Sequence, residues 1–129
     1  MNWIAKEMND IFFFDSYAII ELIKGNSNYS KYVDAKIVTT KMNLFEVCYF
    51  LLREHGEDKA KEYMIKYSDS TIDFDIDVII GATKLKINKK HDNLSMVDCI
   101  GYILSKVMGI KFLTGDEKFE GVENVEYVK

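Results

Sequence analysis

Ile11-Phe12-Phe13-Phe14-Asp15-Ser16 is the stretch that decides the fold. A short continuous apolar run reads as a strand buried on both faces, the kind found in parallel sheets. Lys111-Phe112-Leu113-Thr114 repeats the pattern and is followed by Gly115 and Asp116. Residues 36–39 and 71–74 read as further short strands, and residues 125–128 as a weaker one. Between them the spacing predicts helices. Ser16 is placed to cap a helix through about Lys24, ended at Gly25. A short helix is expected around 28–34. Leu44, Cys48, Leu51 and Leu52 recur at helical spacing within 41–54. A charged amphipathic helix runs from Glu57 to Tyr67 after the break at Gly56. Asp75 is a good N-cap for a helix from Ile76 into the late eighties, and Ser95 begins another through Met108, stopped by Gly109. Strands separated by helices require parallel pairing through right-handed crossovers. The expected architecture is a three-layer α/β/α sandwich around a mostly parallel sheet of about five strands.

Composition supports one folded domain over residues 1–129. Of the 129 residues, 48% are hydrophobic and 29% charged, which excludes a disordered chain. There is no proline, linker or repeat to divide it. No apolar run approaches the roughly 20 residues that span a bilayer. Asp10 and Asp15 bracket a run too short for a signal peptide, so a cytoplasmic location is expected. Cys48 and Cys99 lie in apolar helical patterns and read as reduced, buried thiols. With His55 and His91 they lack the close spacing of a structural zinc site. The net charge of −4 does not invite nucleic acid, yet cations held in an acidic pocket would reverse its local sign.

Asp15, Glu46, Asp98 and Asp116 stand at the edges of apolar elements. Isolated buried carboxylates are costly, so such groups are paired, protonated or metal-bound. In open α/β sheets the binding crevice lies beyond the carboxyl ends of the strands, where strand order reverses. If the first strand and the strand at 111–114 are central neighbours, Asp15 and Asp116 face each other there. Glu46 has no basic residue three or four positions away to explain it, although a place on the solvent edge of its helix would. Asp98 fits a capping box with Ser95, a role that does not prevent it from pointing into the crevice. An all-carboxylate set suits Mg2+ or Mn2+ and phosphoryl chemistry better than zinc hydrolysis.

Other signals carry less. Asp73, Asp75 and Asp77 lack the glycine and glutamate of a calcium loop and read as acids along a strand edge. Lys84, Lys86, Lys89, Lys90 and His91 form the densest basic cluster, either a solvated helix end or a patch that tracks phosphates. His55 and His91 have no visible nucleophile partner. Phe12 to Phe14, Phe45, Tyr49 and Phe50 read as core or dimer-interface packing, and Trp3 as a cover for an N-terminal edge or a partner surface.

Four ordered segments also carry a family likeness. Phe13-Phe14-Asp15-Ser16-Tyr17-Ala18-Ile19-Ile20 resembles the opening motif of PIN-domain nucleases, and Asn43-Leu44-Phe45-Glu46-Val47 their second acidic motif. Leu94-Ser95-Met96-Val97-Asp98-Cys99-Ile100 is similar to the third. Leu113-Thr114-Gly115-Asp116-Glu117-Lys118-Phe119 is similar to the fourth, Thr-x-Asp-x-x-Phe. In size the chain most resembles the VapC toxin branch. The resemblance implies an Mg2+- or Mn2+-dependent endoribonuclease, commonly dimeric and inhibited by a small antitoxin protein. It also implies that Asp15, Glu46, Asp98 and Asp116 bind the metal, with Ser16 and Thr114 orienting carboxylates or water. Two other readings compete: a non-catalytic protein-binding module of the same fold, and a phospho-receiver domain with Asp75 as acceptor.

Overall fold

The computed structural model describes residues 10–89 and 93–129; Trp3, Lys90 and His91 lie outside them. Ile11–Phe14 forms strand β1. It pairs in parallel with Lys36–Val38 (β2) on one side and with Lys111–Thr114 (β3) on the other. β3 in turn pairs in parallel with Val125–Tyr127 (β4). Among the described residues the sheet therefore has four strands in the order β2-β1-β3-β4.

The strand expected over 71–74 shrinks to one bridge, between Thr71 and Thr39. Thr39 donates its N–H to the Ser70 carbonyl and accepts from Ile72 N–H, and pairing stops there. The chain then turns so that the Asp75 carboxylate can accept the Val78 N–H at 3.1 Å and cap the next helix. Asp73, Asp75 and Asp77 are thus not acids along a strand edge; Asp75 is a helix cap and Asp77 sits in its first turn.

Among the described residues, five α-helices cover the two faces. Ser16–Lys24 (α1), Lys41–His55 (α2) and Glu57–Ser68 (α3) are joined to the sheet by a core of Phe14, Ala18, Ile19, Leu44, Val47, Leu51, Ala60, Tyr67 and Leu113. Ile76–Asn88 (α4) and Met96–Met108 (α5) share the other core with Phe13, Phe112, Cys99, Ile100, Leu104 and Phe119. Consecutive residues of a strand point to opposite faces, so Phe13 and Phe14, both fully buried, anchor different cores. No helix among the described residues is long and apolar enough to cross a membrane.

Helix ends follow the sequence with one exception. Gly25 and Gly109 close α1 and α5 in the left-handed conformation that glycine adopts most readily. Ser95 and Asp98 form a complete capping box on α5. The N-cap of α1, however, is Asp15 and not Ser16, because Asp15 is the last extended residue and its oxygen reaches the Ala18 N–H. The segment expected as a short helix at 28–34 is a 3-10 helix, Ser27–Tyr32. From it Tyr29 donates its hydroxyl to the Val128 carbonyl at 2.6 Å, and Tyr32 donates to Glu126, which fastens β4 to the α1 side.

Gly101 is where α5 approaches the sheet most closely. A Cβ there would stand 2.7 Å from Phe13 Cε1 and 3.0 Å from Phe112 Cε1, both rings fully buried. Gly101→Ala should gain about 1 kcal/mol of helix propensity and lose about 1–3 kcal/mol to overpacking. A lower urea midpoint than the parent, with unchanged denaturant slope, is the expected result of equilibrium unfolding.

Candidate active site

Because β2 and β3 flank β1 on opposite sides, strand order reverses between β1 and β3, and it is beyond the carboxyl ends of such strands that open α/β sheets bind ligands. Asp15 stands on that edge, only 4% exposed. Its Oδ1 accepts the Ala18 N–H at 2.8 Å. Burial raises its pKa from the usual carboxylate range to about 7, against the lowering effect of hydrogen bonds from the Thr114 hydroxyl and the Ala18 N–H. The negative charges of Asp98 and Asp116 push it further up. Strand pairing for Asp116 and the first turn of α5 for Asp98 thus bring both acids within electrostatic range of Asp15.

Each of the three is held by a backbone donor. Asp98 Oδ2 accepts the Ser95 N–H at 2.9 Å, and Asp116 Oδ1 accepts the Lys118 N–H at 3.0 Å. Asp116 therefore caps the 3-10 helix Glu117–Phe119 much as Asp15 caps α1. Thr114, wholly buried at the end of β3, accepts the Asp116 N–H at 3.0 Å while its hydroxyl meets Asp15. One side chain thus fixes the spacing of two acids. Gly115 is obligatory between them, since a Cβ would lie 2.3 Å from the Tyr17 ring and 2.4 Å from the Val128 carbonyl oxygen.

Glu46 differs from the others. It is exposed on α2, and it reaches the site through Ser16, whose hydroxyl donates to Glu46 Oε1. Ser16 Oγ in turn accepts from Asn43 Nδ2 at 3.1 Å. Sequence reasoning passed over Asn43 except as a flank of the Glu46 motif. The available signal was an amide one helical turn before an acid with no local basic partner.

Of the basic cluster, the Lys86 ammonium donates to the Leu94 carbonyl at 2.7 Å, which closes the connection between α4 and α5. Lys84 and Lys89 are exposed. Cys48 and Cys99 are free thiols, Cys99 buried and Cys48 half-buried. Asp75, committed to the Val78 N–H and preceded by no strand, lacks the placement of a phospho-acceptor.

The donor set is entirely oxygen, and burial, with the charges of Asp98 and Asp116 adding to it, brings Asp15 toward protonation near neutrality. Among the described residues no three acids, histidines or cysteines already converge on one point as a preformed cage. Hard cations that retain several waters need only one or two carboxylates from the protein. The chemistry of the site fits such an ion.

A family model for the PIN domain matches residues 12–125. The chain belongs to the PIN-domain family. No curated protein sequence matches it. Solved structures share its PIN fold at low identity. A toxin–antitoxin complex from Klebsiella pneumoniae is 18% identical, with 88% of this chain and 94% of that chain covered at a TM-score of 0.69. VapBC2 of Rickettsia felis, bound to a promoter DNA fragment, is 14% identical over 92% and 99% of the two chains, with a TM-score of 0.68. VapC20 of Mycobacterium tuberculosis, a toxin that cleaves the sarcin–ricin loop, is 20% identical over 92% and 99%, also at 0.68.

The raised pKa of Asp15 has a defined consequence for stability. The folded state holds this proton up to about pH 7 and the unfolded chain releases it near 3.8. Folded protein therefore binds more protons in that window, and the contribution of Asp15 falls as pH rises from about 4 to 7. Metal-free Asp15→Asn should lose this component of the pH dependence and melt higher than the parent at pH 7–8. Thermal melts across pH 4–8 with a chelator present check it.

Proposed function

We propose that this PIN-domain protein is a divalent-metal-dependent endoribonuclease and the toxin of a toxin–antitoxin pair. The observation that carries the reading is the electrostatic coupling of Asp15, Asp98 and Asp116 at the switch point of the sheet, with Asp15 pushed to about pH 7. A buried carboxylate beside two others is relieved by either a proton or a cation, and at neutral pH a divalent ion can take the place of the proton.

Asp15, Glu46, Asp98 and Asp116 are the residues that would hold Mg2+ or Mn2+, Glu46 from the exposed side. The ion would supply positive charge for a phosphodiester oxygen and acidity for a water. Thr114 keeps Asp15 and Asp116 at fixed separation, which limits reorganisation when the substrate arrives. Ser16 keeps Glu46 directed toward α1. Glu46 serves as the group that orients or deprotonates the attacking water, since it alone of the four is exposed. Lys84 and Lys89 are exposed cations available to the RNA backbone.

The toxin reading draws support from toxin–antitoxin complexes of the same fold. It also draws on an apolar surface beside Glu46: Phe45 is 78% exposed, and Tyr49 and Leu52 lie along the same helix. An antitoxin covering that surface would close the site without touching its chemistry. A homodimer would use α4, where Ile76, Ile79, Ile80 and Ile87 face solvent. A cytoplasmic location follows from a cytoplasmic RNA substrate.

Asn in place of Asp15, Asp98 or Asp116 should lower Mn2+-dependent RNA cleavage by roughly 100-fold or more, with circular dichroism unchanged. Full cleavage by Asp15→Asn would sink the nuclease reading. Light scattering coupled to gel filtration tests the dimer. Ile80→Asp should halve the measured mass, and a monomeric parent would remove the α4 interface from the account.

A further inference from the structure

Asn43 occupies the first turn of α2, one turn before Glu46, and is almost wholly buried beside an exposed acid. A buried amide needs acceptors for its N–H groups and donors for its oxygen. Asn43 Oδ1 accepts the Thr40 hydroxyl at 2.6 Å, and Asn43 Nδ2 donates to Ser16 Oγ at 3.1 Å. Thr40 also caps the helix by accepting the Asn43 backbone N–H at 3.2 Å. The Ser16 hydroxyl closes the chain by donating to Glu46 Oε1.

The polarity of this chain is fixed from its far end. An ionised carboxylate can only accept, so Ser16 must direct its single proton to Glu46. Ser16 Oγ is then left as an acceptor, and of the two ends of the Asn43 amide only the nitrogen can donate to it. The amide oxygen consequently faces Thr40, whose proton it takes. The competing acceptor for the Ser16 proton, the Asn43 main-chain carbonyl, lies at 3.5 Å, too long to draw it away.

We propose that Asn43 is a positioning residue for the site: its buried amide holds Ser16 Oγ as an acceptor, so that the hydroxyl proton is presented to Glu46. An exposed glutamate on a helix otherwise samples several rotamers. The relay from Thr40 through Asn43 and Ser16 turns a mobile acid into an oriented one. The inference rests on the metal-binding reading for its functional meaning, while its hydrogen-bond logic stands apart from it.

The test uses Asn43→Ala, Ser16→Ala and the double variant, titrated with MnCl2 by calorimetry. Each single change should weaken Mn2+ binding roughly tenfold. The double variant should be no weaker than either single one, because both break the same chain. Additive losses would overturn the proposal, since Asn43 would then act by another route. A metal-free readout accompanies it: the Asn43 side-chain amide signals in a 15N–1H spectrum should shift in Ser16→Ala and in Glu46→Gln. Amide signals unmoved by Ser16→Ala would overturn the relay. A parent protein that binds no Mn2+ would defeat the metal-site reading, and the amide spectra would still decide the relay. If Asn43→Ala fails to fold, Ser16→Ala carries the spectral test alone.

Discussion

The rest of the molecule is arranged around a carboxyl group that is out of water. Asp15 is asked to cap α1, which favours its charged form, and to sit buried between two other acids, which disfavours it. A helix N-terminus supplies partial positive charge to a capping carboxylate, and the Ala18 and Thr114 hydrogen bonds add to that. Burial outweighs them. The conflict is stable only because Phe13, Phe14, Phe112 and Leu113, all fully buried, hold the strand ends in place. Stability of the sheet therefore offsets the strain of the site.

The remaining acids reach Asp15 by three different routes. Asp116 arrives through strand pairing, since β3 lies directly beside β1. Asp98 arrives through the first turn of α5, where the capping box with Ser95 fixes its backbone. Glu46 arrives through a side-chain relay from a helix on the opposite face of the sheet.

Much of this was legible in the sequence, for a physical reason. Strand β1 and strand β3 are bounded by residues that cannot continue them, and Gly25, Gly56 and Gly109 mark helix ends by conformation alone. Asp75 as an N-cap was equally plain. What misled was the run at 71–74: Thr71-Ile72-Asp73-Phe74 alternates like a strand, but the Asp75 cap turns the chain after one bridge. Ser16 and Asp15 were interchangeable as caps on chemistry, and only the extended backbone of Asp15 decided between them. Within the site, the acids showed through because carboxylates break apolar runs. Asn43 did not, because its role depends on two partners, Ser16 and Thr40, one of them far away in sequence. Lys86 looked like a surface cation, and its bond to the Leu94 carbonyl joins α4 to the residue before the α5 cap, a pairing that no local pattern encodes.

Phe13 and Phe14 are adjacent in the chain yet belong to separate cores. The end of β1 is thereby located twice, once by each packing, and neither packing consults the other. Surface helices on either side can exchange residues freely so long as each keeps its grip on its own phenylalanine. Drift on one face leaves the other as a fixed reference for the acid that follows. Such double anchoring holds the end of β1 from both faces of the sheet at once.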